Sequence, residues 1–197
     1  MDKSLYLDSY LEQYAKLVEI IDETNKRLIS EEPDKFIEDN VNFFTKSFLV
    51  MMCAYLESYL KDALMVIIDE VNLRLDSTKI PHNLIKWTLN IDKEFKETEY
   101  KFEHLKIKLK KKELDEYISG NPFKTRDLFK KFGIPLDKNS IFNTQKDIVN
   151  TIVIKRNKVV HHNDEASDIS NNDLKYFIEI LISYLENIDN EICKHIA

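Results

Sequence analysis

Residues that form tight turns are almost absent from this chain, which has only two glycines, Gly120 and Gly133, and four prolines in 197 residues. Sheet proteins need many tight turns, and those turns favour Gly, Asn-Gly or Asp-Gly. The rest of the sequence consists of long blocks rich in Leu, Ile, Lys, Glu and Asp. The sequence therefore predicts an all-α protein, of a length that suits one domain with a substantial core.

The N-terminal half contains two stretches in which apolar residues recur close to every 3.6 positions, as they do in helices. The first stretch covers residues 4–29, and the segment Ser30–Pro33 separates it from a second, longer one over residues 34–75. The second stretch is apolar almost all round at its centre. Such a helix is expected in the middle of a bundle.

The C-terminal third contains the two clearest helices. Ser140 is the expected N-cap of a helix that continues through Val159, and Ser170 is the expected N-cap of the last one. Asp173 lies in the first turn of the last helix, where an acidic residue suits the helix dipole. Together with the two N-terminal helices, these elements predict an antiparallel four-helix-type bundle.

Residues 76–135 are expected to form an inserted helical region within a single domain, 1–197. They contain too few apolar residues for a separate core. The motifs SGNP (119–122) and KFGIPLDKNS (131–140) are the clearest breaks, because both glycines of the chain lie in them. Short helices are predicted between these breaks and before them, at residues 82–90, 93–118 and 124–132.

Positive charge is concentrated in the middle of a chain whose net charge is −6. Residues 101–131 contain 10 Lys and Arg against 5 Asp and Glu, whereas residues 1–100 contain 12 against 20. This segment is either a solvated, lysine-rich surface or a patch that binds a phosphate backbone. In the second interpretation the candidate RNA-binding residues are Lys108, Lys110, Lys111, Lys112, Lys130 and Lys131.

Aromatic residues accompany these lysines and allow two interpretations. They could stack on nucleic-acid bases, or they could pack in the core of the inserted region, which is the commoner role. The residues concerned are Trp87, Phe95, Tyr100 and Phe102.

Targeting, redox and metal features are few. Cys53 and Cys193 lie in apolar helical patterns and give neither a disulfide framework nor the ligand spacing of a zinc site. The N-terminus lacks the basic start and apolar run of a signal peptide. The longest apolar run, FLVMMCAYL (48–56), is shorter than the roughly 20 residues of a membrane span. We therefore expect a cytoplasmic protein with no cofactor, no metal and no membrane contact.

The stretch IVIKRNKVVHHNDE (152–165) is the strongest candidate for a functional site. Histidine exchanges protons near neutral pH, and arginine carries a planar, permanently charged fork that matches a phosphate. Arg156, Asn157 and His161 together suit cleavage of a phosphodiester by a neighbouring 2′-hydroxyl. A base removes the hydroxyl proton, cations stabilise the phosphorane, and no metal is required.

The spacing of these residues limits how they can act. Arg156 and His161 are five residues apart, which places them about 140° apart around a straight helix, whereas Asn157 and His161 share a face. Two arrangements would unite the arginine and the histidine. The helix could fray after Val160, or a second subunit could complete the site across a two-fold axis.

Three segments in this order resemble the HEPN superfamily: MCAYLESYLKDAL (52–64), IVNTIVIKRNKVVHHN (148–163) and the D-L-x-x-F-I start of the last helix (173–178). The likeness is closest to the RiboL-PSP-HEPN or MAE-type branch, which has an R-x(4–6)-H motif with a polar residue after the arginine. Arg156, Asn157 and His161 occupy those positions here. His162 fits the looser spacing, so either histidine could act, and we favour His161 because it aligns with Asn157.

This resemblance implies a helical bundle that forms a homodimer about the motif and acts as a metal-independent endoribonuclease on RNA. Many such proteins are toxins or antiphage defence effectors, which suggests an antitoxin or another defence-system protein as a partner. Some members are inactive and serve only as interaction modules. A non-catalytic helical module that binds a partner protein is therefore the alternative function.

Two further positions near the motif have competing interpretations. Glu57 interrupts an apolar stretch and needs a partner or water. It could pair with Lys61 at a helix edge, or it could face the Arg156 cluster and support it. His161, His162 and Asp164 could be read as metal ligands, although adjacent histidines seldom converge on one ion.

Overall fold

The computed structural model describes residues 6–78, 80–81, 84–85, 88–89, 105–162 and 166–196 and, for His162, the backbone alone. Within them the protein is all-α, as predicted. The helices are α1 (Leu7–Leu28), α2 (Lys35–Asp39), α3 (Val41–Thr78), α4 (Pro122–Lys131), α5 (Ser140–His162) and α6 (Asn171–Ile196). Short 3-10 helices occur at Lys111–Leu114 and Leu136–Lys138. None of the helices described here is both long and apolar enough to cross a membrane.

Helices α1, α3, α5 and α6 form the predicted antiparallel bundle. Helices α3 and α6 run in the same direction and pack against each other at its centre. Both contact α1 on one side and α5 on the other. Helix α3 therefore has a partner on most sides, as its all-round apolar sequence predicts. Its largest buried side chains include Tyr59, Leu49, Met52, Leu56, Leu60 and Leu64.

The predicted second helix, residues 34–75, is wrong in one respect, because it is two helices and not one. Asp34 caps α2 by accepting a hydrogen bond from the Phe36 backbone N–H at 3.0 Å. The chain leaves the helical conformation at Asn40 (φ −123°, ψ 18°), whose side chain donates back to the Phe36 carbonyl at 2.8 Å. Asparagine competes with the helix through such local hydrogen bonds, so α3 begins only at Val41.

The N-caps of the last two helices differ in how well the sequence predicts them. Ser170 caps α6 as predicted, and it forms a reciprocal pair with Asp173: the Ser170 hydroxyl accepts from the Asp173 N–H at 3.1 Å, and the Ser170 N–H donates to the Asp173 carboxylate at 2.8 Å. Ser140 is not the N-cap of α5. Asn139 takes that role, since its side-chain oxygen accepts from the Phe142 N–H at 2.9 Å.

The predicted helix over residues 93–118 is wrong in its described part. Residues 105–110 have no helical structure, and only the short turn Lys111–Leu114 follows. Like-charged lysines disfavour a helix here. The Asn72 side chain instead binds the extended chain twice, accepting from the Ile107 N–H at 2.8 Å and donating to the Ile107 carbonyl at 3.1 Å.

The inserted region returns along α3 toward the centre of that helix. Beyond the Asn72 contact, Asp115 pairs with Lys61 at 2.5 Å, and the backbone then reaches Gly120, which lies against Leu56. The predicted helix over residues 124–132 is present as α4 and is capped by the Asn121 side chain. Buried residues of the insertion join the core cluster of the bundle, among them Leu114, Ile118, Leu128, Phe129 and Ile134.

Much of the predicted helix at 82–90 lies outside the described residues. Trp87, Phe95, Tyr100, Phe102 and Asp164 also lie outside them, so their suggested roles in base stacking and metal binding are not tested. The side chain of His162 is likewise outside the described structure.

Candidate active site

Arg156 contacts Glu57 across the interface between α5 and α3. Its guanidinium Nη2 forms an ion pair with the Glu57 Oε1 oxygen. The side chains are only 16% and 24% exposed, so the contact is shielded from solvent far more than a surface pair. Lys61, the other predicted partner of Glu57, binds Asp115 instead. The acidic residue within the apolar stretch of α3 therefore faces the arginine of the motif.

Cys53 lies one turn before Glu57 on α3 and completes the buried side of this pair. Burial raises the pKa of the Cys53 thiol to about 12, although the nearby Arg156 guanidinium acts in the opposite direction. The thiol is therefore protonated at neutral pH and is a neutral neighbour of the arginine. Among the described side chains of α3, Glu57 is therefore the only charged group that balances the positive charge of Arg156.

A loop of the inserted region covers the ion pair. Gly120 has a left-handed backbone (φ +67°), and a Cβ atom there would lie 3.4 Å from Glu57 Oε1 and 3.3 Å from Val153 Cγ2. The next residue, Asn121, ties the loop to α5 by donating from Nδ2 to Asn150 Oδ1 at 2.9 Å. The loop residues 119–121 therefore pack against both helices that hold the pair. The sequence indicated only a chain break here, because nothing local reveals which helix a loop contacts.

Two polar atoms near the pair are buried without a partner. The Nε atom of Arg156 and the hydroxyl of Ser119 have no hydrogen-bond partner among the described residues. Buried donors of this kind normally have a partner. Glu57 therefore satisfies only part of the Arg156 guanidinium, and Nε is enclosed by protein on the buried side of the pair.

Helix α5 is continuous through His162, so the first of the two expected arrangements, a helix that frays after Val160, is not the one seen in this structure. Because the helix is continuous, Arg156 and His161 lie about 140° apart around its axis. Arg156 turns toward α3, whereas His161 is exposed and Asn157 is half-buried. Within one chain the structure joins Arg156 to Glu57 but does not bring His161 to the arginine.

Asn157 and His161 lie on one stripe of α5. With Asn150 and Ile154 they follow the three- and four-residue spacing that places side chains above one another on a helix. Along this stripe Ile154 and His161 are exposed, whereas Asn150 and Asn157 are half-buried. The predicted alignment of His161 with Asn157 is therefore consistent with the geometry of the helix.

The lysines proposed to bind RNA lie on the surface of the insertion. The side chain of Lys111 pairs with Asp62, five residues beyond Glu57 on α3 and so about 7 Å farther along the helix axis. Lys131 lies 4.6 Å from the centre of the Tyr117 ring. The others, Lys108, Lys110, Lys112 and Lys130, are exposed. Positive charge therefore extends along the α3 side, away from the Arg156–Glu57 pair.

No cluster of three or more His, Cys, Asp or Glu side chains that could bind a metal occurs among residues whose placement is described.

Comparison with known proteins gives one informative match. No curated protein and no solved structure matches the chain, but the RiboL-PSP-HEPN family matches it over residues 5–194. This match includes α3, the inserted region, the Arg156 motif and α6, and so covers nearly the whole sequence. The chain belongs to the RiboL-PSP-HEPN family.

Proposed function

We propose that this protein is a metal-independent endoribonuclease that acts as a cytoplasmic toxin or antiphage defence effector. The observation that carries the proposal is the Arg156 guanidinium, which Glu57 of α3 holds in place, followed on the same helix by the half-buried Asn157 and the exposed His161. A cation, an amide and an imidazole in this position supply the groups that phosphodiester cleavage needs. Family membership is compatible with both RNA cleavage and a purely structural helical module.

In the proposed reaction His161 takes the proton of the RNA 2′-hydroxyl. The freed oxygen bonds to phosphorus, and the bond from phosphorus to the 5′ oxygen breaks. The leaving oxygen takes a proton from water, which gives a 2′,3′-cyclic phosphate and a 5′-hydroxyl. Arg156 neutralises the charge of the phosphorane, and Asn157 orients the imidazole or binds a phosphate oxygen.

Glu57 is a positioning residue in this scheme. Its carboxylate pairs with Nη2 of Arg156, so the arginine is oriented before RNA binds. His162 is the alternative base, since it also satisfies the motif spacing. The lysines of the insertion would attract RNA toward the site in a salt-dependent manner.

The proposal requires a homodimer, because a straight α5 separates Arg156 from His161 within one chain. Apolar side chains are exposed beside the motif: Ile154 is 46% exposed and Val160 is 50% exposed on α5. On α3, Phe43 is 65% exposed, and with Ala54 it lies on the stripe that continues to Glu57. Ile154 lies about 120° from Val160 around α5, so only Val160 is on the side of Arg156. We name Phe43, Ala54 and Val160 the motif face. A two-fold contact through the motif face would place the two motifs opposite each other.

The deciding experiment is cleavage of a mixed tRNA and rRNA pool by the purified protein in excess EDTA. Wild type should produce fragments that end in a 2′,3′-cyclic phosphate. Arg156→Ala and His161→Ala should each lower the rate by about 100-fold or more, which is the usual contribution of one acid–base or charge-stabilising group. Arg74→Ala and His195→Ala are matched controls, because these residues are exposed at the far end of α3 and α6.

Equal cleavage by the two motif variants and the wild type would exclude the assignment. The role of Glu57 is tested by Glu57→Gln and Glu57→Ala. The amide keeps a hydrogen-bond acceptor for Arg156 and should retain most of the activity, whereas alanine should lower kcat with little effect on KM. The dimer is tested by Val160→Asp in light scattering, with Leu73→Asp as a control at an exposed apolar residue away from the motif (67% exposed, against 50% for Val160).

The alternative is a non-catalytic helical module that binds an antitoxin or another defence-system protein. One observation favours it: Arg156 is mostly buried and already paired, as in an ion pair that only joins two helices. It would be supported by a purified protein that cleaves no RNA and forms a stable complex unaffected by Arg156→Ala and His161→Ala.

A further inference from the structure

A groove bordered by α1, α2 and the first turn of α3 shares no residue with the motif and has no role in the proposed reaction. It encloses about 390 Å³. Its floor is apolar and its rim is charged. The lining residues are Glu19, Ile20, Glu23, Thr24, Arg27, Asp34, Phe36, Ile37 and Phe44.

The floor exposes large apolar side chains to solvent. Phe36 is 68% exposed and Ile20 is 53% exposed, whereas Ile37 is buried and anchors the five-residue helix α2 to the bundle. The Phe36 ring meets the Phe44 ring edge to face, with centroids 6.1 Å apart. Adjacent exposed apolar groups inside a polar rim are typical of an interaction site.

The rim is acidic. Glu19, Glu23 and Asp34 border the floor, and Arg27 is the single cation among the lining residues. Arg27 is already engaged, since its Nε donates to Glu23 Oε1 at 2.8 Å. The adjoining exposed segment 31–39 adds further acids with one lysine, namely Glu31, Glu32, Glu38 and Asp39 with Lys35. The groove therefore presents negative charge around an apolar floor.

From this complementarity we infer that the groove binds a short, basic amphipathic helix of a partner protein. The wall formed by α1 extends from Glu19 to Arg27, about 12 Å, which matches roughly two turns of a bound helix. Such a helix would place apolar residues at positions i, i+4 and i+7 over Phe36 and Ile20, with Lys or Arg beside them facing the rim.

A second copy of this chain fits the groove less well. The segment in which basic residues outnumber acidic ones, 101–131, lies in the insertion and not on α1 or α2, so such a contact would be head-to-tail. Head-to-tail contacts form rings or open filaments, not the two-fold dimer that the motif requires. The inference does not rest on the proposed RNA cleavage, since the groove shares no residue with the motif.

The test is selection of 16-residue peptides from a random displayed library on the full-length protein, followed by fluorescence anisotropy with the selected peptides. We expect net-positive sequences with apolar residues at i, i+4 and i+7. Phe36→Ala should weaken their binding by about tenfold or more, as expected for a buried phenylalanine contact. Glu19→Lys should also weaken peptide binding, and this loss of affinity should become larger as the salt concentration falls.

Phe123→Ala is the matched control, since Phe123 is also an exposed phenylalanine but lies on α4. It should bind the peptides like wild type, and circular dichroism should show unchanged helix content in all three variants. Selected peptides that are acidic, or that bind Phe36→Ala as well as wild type, would overturn the inference. Self-association of the wild type that is lost in Phe36→Ala would also overturn it, in favour of a second copy.

Discussion

Gly120 provides a quantitative test of how the inserted region supports the candidate site, and Gly133 provides its control. Both glycines have positive φ, +67° and +80°. An alanine in that conformation costs about 1–2 kcal/mol, partly offset by about 0.4–1 kcal/mol from the lower entropy of the unfolded chain. We therefore expect Gly133→Ala, which meets no atom within 4 Å, to destabilise the protein by about 1 kcal/mol.

The same substitution at Gly120 has an additional cost from packing. Its new methyl group would lie 3.3 Å from Val153 Cγ2, 3.4 Å from Glu57 Oε1 and 3.5 Å from Leu56 Cδ2. Extra atoms in a packed region typically cost about 1–3 kcal/mol, so the total for Gly120→Ala is about 2–4 kcal/mol. Since the methyl group crowds Val153 and contacts Glu57, RNA cleavage should also fall in Gly120→Ala and not in Gly133→Ala.

Thermal unfolding followed by circular dichroism measures both values. For a chain of this size 1 kcal/mol corresponds to a Tm shift of about 2–4 °C, so Gly133→Ala should lower Tm by about 2–4 °C and Gly120→Ala by about 4–16 °C. Equal shifts for the two variants would refute the reasoning, because they would mean that residues 119–121 do not pack tightly against α3 and α5.

Three further predictions concern helix caps and the buried thiol. Asn139→Ala should destabilise the protein by about 1 kcal/mol and Ser140→Ala by much less in urea unfolding, because Asn139 is the residue that caps α5; equal losses would contradict that cap. Hydrogen bonds from Ser170 lower the pKa of Asp173 in the folded protein. The stability that these bonds contribute is therefore fully present above the pKa of Asp173 in the unfolded chain, and it is lost as the pH falls through the pKa of Asp173 in the folded protein. The loss of unfolding free energy caused by Ser170→Ala should therefore become smaller below about pH 4. A loss that becomes larger at low pH would contradict this account of the Asp173 pKa. Burial raises the pKa of Cys53 to about 12, so mass spectrometry should detect no labelling of Cys53 by a thiol reagent at pH 8 until denaturant is added.

The bundle could be predicted from the sequence because helix periodicity is a local signal. The apolar stripes of α1, α5 and α6 and the all-round apolar centre of α3 determine which surfaces are buried. The errors occur where side chains compete with the backbone or where a distant residue decides the structure. Asn40 interrupts the predicted second helix through its own hydrogen bond to the Phe36 carbonyl. Asn72, which lies on α3, binds the backbone of Ile107 and so holds residues 105–110 in a non-helical conformation.

The candidate site was predictable in part for the same reason. An arginine, an amide and a histidine in sequence can be read directly, and an acid inside an apolar helix indicates that Glu57 needs a buried partner. The choice of Arg156 over Lys61 depends on how α3 packs against α5, which the local pattern does not contain. Cys53 and the loop at Gly120 were missed because their importance comes only from tertiary contacts.

Mixing two inactive variants tests whether the proposed site is shared between subunits. The continuous α5 keeps Arg156 and His161 on different sides of one chain, so a composite site would take the arginine from one subunit and the histidine from the other. When Arg156→Ala and His161→Ala chains are unfolded together and refolded in equal amounts, half of the dimers should be mixed. Each mixed dimer then contains one intact composite site, which predicts about a quarter of wild-type activity per dimer. If both residues of a site came from the same chain, every site in the mixture would carry one substitution and activity would stay at the level of the separate variants. Recovery to about a quarter would therefore show a shared site, and its absence in a mixture that light scattering shows to be dimeric would exclude it.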